Sequence, residues 1–113
     1  MEHLSATATS IRDATVLADL RREEPALWQV TVLIARPPGE PPIREGEVEA
    51  VLFDAQGPLE LLSQPTDDWV EAGGAAGTTA NGGFLFQARD ATPSRLTVLW
   101  GGDRATLEVV TGR

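Results

Sequence analysis

The sequence predicts an all-β fold: a seven-stranded antiparallel β-sandwich of immunoglobulin-like architecture, with a small partly closed β-barrel as the alternative. Three observations point there. Most segments alternate apolar and polar residues with a period of two, the pattern of a strand with one buried face. Pro and Gly clusters interrupt these runs, as RPPGEPP at 36–42, QPTDD at 64–68 and DATPS at 90–94. The result is a series of short strands between turn signals, the rhythm of two-sheet antiparallel domains. The chain has no cysteine, so the disulfide-and-tryptophan signature of true immunoglobulin domains is absent. The likeness is one of architecture, and no family motif accompanies it.

The chain has 113 residues, which fits one domain with a core of its own. Residues 1–10 are expected to be a disordered tail, and 11–111 a single domain. The first segment, DATVLADLRREEP, is ambiguous. Asp13 could cap a helix that Pro25 would end. The same residues also alternate, with Ala14, Val16, Ala18 and Leu20 on one side. The all-β context favours a strand over 11–20. Further strands are expected over 27–35, where Trp28, Val30, Val32 and Ile34 share a face, and over 46–54.

In VLFDAQGPLEL, Asp54 to Gly57 fits a type I turn ending in a left-handed glycine. That turn sets Phe53 opposite Leu59 and Val51 opposite Leu61. Pro58 has no amide to donate, so 59–63 is the edge-strand candidate. The remaining strands are expected over 83–90, 95–100 and 104–111. A turn at Gly102-Asp103 would pair Trp100 with Ala105, Val98 with Leu107 and Leu96 with Val109. This choice makes one hairpin face wholly apolar and sets Thr97 opposite Glu108.

Between 71 and 84 the chain reads EAGGAAGTTANGGF, with five glycines. A Walker phosphate loop needs a lysine and a following helix, and a dinucleotide fingerprint needs GxGxxG. Neither pattern is present, and the downstream GFLFQAR reads as a strand. The segment 64–82 is therefore expected to be a long connection between sheets, a class of loop that often binds or orders on contact.

Composition narrows the chemistry. There is no lysine, and all nine basic residues are arginines. This excludes lysine Schiff bases and lysine general bases. With a net charge of −8, neither nucleic acid nor an anionic membrane is an expected partner. No stretch reaches the roughly 20 apolar residues of a membrane-spanning helix. The N-terminus lacks the basic start and apolar run of a secretory signal. A cytoplasmic location is expected.

No catalytic, cofactor-binding or metal-ligating residue is assigned. The only histidine, His3, falls in the expected tail and leaves no base for Ser5, Ser10, Ser63 or Ser94. Asp67, Asp68 and Glu71, with Asp54 at another turn, could gather around a hard cation, yet their spacing matches no calcium loop. Trp69 either plugs one end of the fold or stands exposed as an anchor for a partner. The candidate partner-binding residues are Trp69, Asp67, Asp68, Glu71 and Arg44.

The function expected from these features is non-enzymatic: an accessory, adaptor or inhibitor-like domain that binds another protein, one of basic character being compatible with the charge. Homo-oligomerisation through the edge strand is compatible with it. The alternative is a small-molecule- or metal-binding domain with a lid at 64–82 and carboxylate-based catalysis.

Overall fold

A computed structural model describes residues 2–37, 43, 46–63, 69–74, 77–89 and 91–111. The described residues form strands and turns, with no helix. Accordingly, no helix there is long and apolar enough to cross a membrane.

The strands are β1 (Glu2–Ile11), β2 (Ala14–Glu24), β3 (Leu27–Arg36), β4 (Val48–Asp54) and β5 (Gly57–Pro58), followed by β6 (Leu61–Ser63), β7 (Val70–Gly74), β8 (Gly77–Gln87), β9 (Arg95–Trp100) and β10 (Asp103–Thr111). They make one continuous antiparallel sheet in the order β5-β4-β9-β10-β1-β2-β3-β8-β6, with β7 also on β8. The sheet curls into a half-barrel. Two separate sheets, as in an immunoglobulin-like sandwich, are not what it shows, because β10 passes to β1 through paired residues Leu4–Thr111 to Ala6–Val109.

The core is the concave face. Alternation along each strand sends every second residue inward. Ala14, Val16, Ala18 and Leu20 of β2 and Trp28, Val30, Val32 and Ile34 of β3 are all buried there. Phe84 and Phe86 of β8 join them, stacked at 6.5 Å between ring centroids. From the other half come Val48, Ala50 and Leu52, then Leu96, Val98 and Trp100, then Ala105 and Leu107. The segment 11–20 is thus mostly strand, and its alternation rather than its helix propensity describes it.

The expected disordered tail is instead β1, which lies between β10 and β2. Its period-two pattern is broken by a bulge. Leu4 pairs with Leu20 and Ala6 with Ala18, but beyond the bulge Thr9 pairs with Val16 and Ile11 with Ala14. One extra residue in β1 moves the inward set from even to odd positions. The buried residues Leu4, Ala6 and Ile11 therefore do not alternate in sequence.

The described residues of the expected connection at 64–82 are largely sheet. β7 and the first half of β8 form a hairpin through the glycine-rich segment, pairing Val70 with Asn81 through Gly74 with Gly77. β8 therefore starts before residue 83 and ends at Gln87. A Cβ on Gly82 would lie 2.6 Å from the Trp69 ring, so the missing side chain is the space the indole occupies. The indole meets Phe84 edge-on at 6.0 Å and is buried, 3% exposed.

Both predicted turns shift. The β9–β10 turn is Gly101-Gly102, with φ of +58° and +89°. Two successive positive φ values suit a type I′ hairpin turn. Trp100 then pairs with Asp103, Val98 with Ala105, Leu96 with Leu107 and Thr97 with Thr106. A slip of two residues keeps every side chain on its own face, so an apolar-face criterion cannot separate the two registers. The β4–β5 turn keeps a positive-φ glycine, Gly57 at +124°, but pairs Phe53 with Pro58.

Two glycines allow a contrast. Gly102 has room for a methyl group but a left-handed backbone, whereas Gly83 has room and no positive φ. Gly102→Ala is expected to cost about 1–2 kcal/mol. Gly83→Ala is expected to leave stability unchanged or raise it by up to about 1 kcal/mol. Thermal melts of both variants check this.

Candidate interaction site

The two ends of the sheet converge on one piece of chain. β5 lies at one end of the strand order and β6 at the other, yet only Leu59 and Glu60 separate them. On the β4 side, Leu59 N–H donates to Leu52 O at 2.8 Å; on the β8 side, Gln87 N–H donates to Glu60 O at 2.9 Å. The segment Gly57–Ser63 is therefore a stitch across the opening of the half-barrel.

An ion pair holds the same junction. Asp54 follows Val48, Ala50 and Leu52 in inward phase, which carries its carboxylate onto the buried face at the end of β4. Its side chain is fully buried, and that of Arg89, just past β8, is 37% exposed. Arg89 donates from Nε to Asp54 Oδ2 at 3.0 Å and from Nη2 to Oδ1 at 2.8 Å. The same Nη2 reaches Gly57 O at 2.8 Å, and the amide of Gln56 donates to Asp54 Oδ1 at 2.8 Å. One carboxylate and one guanidinium thus link β4, the turn, β5 and the end of β8.

The hydrogen bond from Arg89 is the main reason the Asp54 carboxyl titrates below its ordinary value of 3.8; burial opposes the shift, and the Gln56 amide adds to it. A depressed carboxylate pKa stabilises the fold fully above the unfolded value, and that contribution fades as pH falls through the folded one. Asp54→Asn is therefore expected to be less stable than the parent near neutral pH. The gap should close as pH drops below about 3.8. Urea midpoints for both proteins across that range measure it.

Beside this junction lies an open hollow of about 370 Å³, lined by Pro58, Leu59, Glu60, Gln87 and Arg89. Next to it, Leu61 is 41% exposed and Leu62 46% exposed. Successive strand residues point to opposite faces, so a covered strand buries one of each pair. Here both leucines are open to solvent on a terminal strand.

Of the residues expected to bind a partner, Trp69 lies in the core against Phe84 and Gly82. Glu71 lies in β7, opposite Ala80. Asp67, Asp68 and Arg44 fall outside the described residues. Asp54 is engaged by Arg89. Among the described residues, no group of three or more His, Cys, Asp or Glu side chains is placed to hold a metal. The 77–82 part of the expected lid is paired within β8. The sequence reading missed Arg89 and the exposed leucines. Asp54's phase with the core residues before it was the available signal for a buried carboxylate needing a cation.

Comparison of the chain with known protein families, curated proteins and solved structures found no match.

Proposed function

We propose that the protein is a non-enzymatic interaction domain, an accessory, adaptor or inhibitor-like module that binds another protein through the β6 edge and its flanking hollow. The observation that carries this reading is the side-by-side exposure of Leu61 and Leu62 on a strand that ends the sheet order. Terminal strands recruit partner strands unless blunted by charge, proline or cover. Pro58 blunts the β5 portion; Leu61, Leu62 and Ser63 carry neither charge nor proline, and the protection there is limited to the shortness of β6 and its irregular register between Leu61 and Ser63. Glu60 and Arg89 flank the hollow and provide polar contacts at the rim. The net charge of −8 favours a partner of basic character through long-range steering. A cytoplasmic setting belongs to the same reading, supported by the absence of cysteine.

Native mass spectrometry of the protein isolated gently from its host, followed by hydrogen exchange on any retained complex, tests the proposal. A retained polypeptide should slow exchange at Leu61–Ser63. Replacing Leu61 and Leu62 together by Ser should release it, while changing stability by less than about 1 kcal/mol. A partner that leaves these amides unprotected, or that survives the double substitution, overturns this assignment of the surface.

A further inference from the structure

We infer a second docking surface, on the outer face of β4, β9 and β10, whose occupant is an extended acidic segment of a protein partner. The pairing registers lay out that face as three rows. Glu49, Leu99 and Arg104 make one row; Val51, Thr97 and Thr106 the next; Phe53, Arg95 and Glu108 the third. An open groove of about 410 Å³ runs over them. Among the described residues its lining contains Val51, Phe53 and Leu99, the threonines Thr97 and Thr106, and the arginines Arg95 and Arg104, and no carboxylate.

That lining runs against the composition. The chain has 17 acidic residues and nine basic ones, yet both charged groups among the described lining residues are cations. Neither forms an ion pair or hydrogen bond among the described residues. Glu49 and Glu108 stand at opposite corners of the grid without engaging them. The Arg95 guanidinium lies 4.3 Å from the Phe53 ring centroid. Cation–π contact with the ring holds the guanidinium at this position, and a guanidinium so held can bind a carboxylate in bidentate geometry.

The spacing defines the ligand. Arg95 and the row of Arg104 are separated by four residues of β9, about 13 Å along a strand. An extended segment with carboxylates at positions i and i+4 spans the same distance on one side. Its residue i+2 then faces Val51 and Thr97, where a small apolar side chain fits. The face thus reads acid–x–apolar–x–acid in an extended chain.

This inference rests on the reading of the chain as a protein-binding domain, but not on the β6 edge. Its test uses two blocked peptides, Thr-Glu-Thr-Val-Thr-Glu-Thr and the same sequence with Gln in place of both Glu, titrated into the isotope-labelled full chain. The acidic peptide should shift the amide resonances of Phe53, Thr97, Leu99 and Thr106, with an affinity at least about tenfold above that of the Gln peptide. The double variant Arg95→Gln, Arg104→Gln should keep its melting temperature and lose that preference. Equal shifts by both peptides, no shift on this face, or an unchanged preference in the variant overturns the inference. Shifts confined to Leu61–Ser63 would overturn it while leaving the edge proposal standing.

Discussion

A chain lacking residues 2–11 is expected not to fold cooperatively at 25 °C. The deletion removes β1 from between β10 and β2, and with it three core side chains, Leu4, Ala6 and Ile11. Each large-to-small loss at such positions costs about 2–5 kcal/mol for Leu or Ile. The backbone cost comes on top, because β10 and β2 each lose a ladder of partners. A domain of this size has only about 5–15 kcal/mol of net stability to lose. Circular dichroism during a urea titration should show no sigmoidal transition for the deleted chain. A cooperative transition near the parent midpoint would show that β1 is dispensable.

Trp69→Ala is expected to destabilise the fold by about 3–5 kcal/mol, the range for emptying a buried indole site. The cavity cannot collapse easily, because its floor is Gly82, which has no side chain to move. The complementary change fails for the opposite reason. A methyl group at Gly82 would sit 2.6 Å from the indole, and overpacking of this kind costs about 1–3 kcal/mol. The two sites should be strongly non-additive. Gly82→Ala in the Trp69→Ala background should be neutral or recover part of the loss, since the methyl then enters the vacated space. Urea denaturation of the three variants measures the coupling. Additive effects would separate Trp69 from Gly82.

These two cases show where the sequence was legible. Strands with large residues in unbroken alternation, β3, β9 and the end of β8, declared themselves because period two and a buried face are the same fact; β2 alternates too, but its helix propensity leaves it ambiguous until the all-β context favours a strand. β1 was hidden by its bulge, which changes the inward parity between Ala6 and Thr9. β7 and the first half of β8 were hidden by small residues. Glycine and alanine carry little hydrophobic signal, and the indole that completes their packing comes from Trp69, which is distant in sequence from Gly82. The Gly101-Gly102 register was undecidable from faces alone and was settled by backbone handedness. At the candidate site, proline position indicated the edge. The Asp54–Arg89 pair depended on two chain segments meeting across the half-barrel, which local patterning does not encode.

The pairing of Leu4 with Thr111 also governs when this protein can become itself. Of these ten strands β1 is synthesised first, and one of its two neighbours, β10, is synthesised last. β2 and β3 can join it as a meander, leaving the β10-facing side of β1 unsatisfied while the rest of the chain is synthesised. Contacts this far apart in sequence make folding slow, in the millisecond-to-second range for all-β topologies. The nascent chain therefore carries an exposed β1 edge until β10 is made, an interval in which capture by a chaperone or by another unfinished copy competes with pairing to β10.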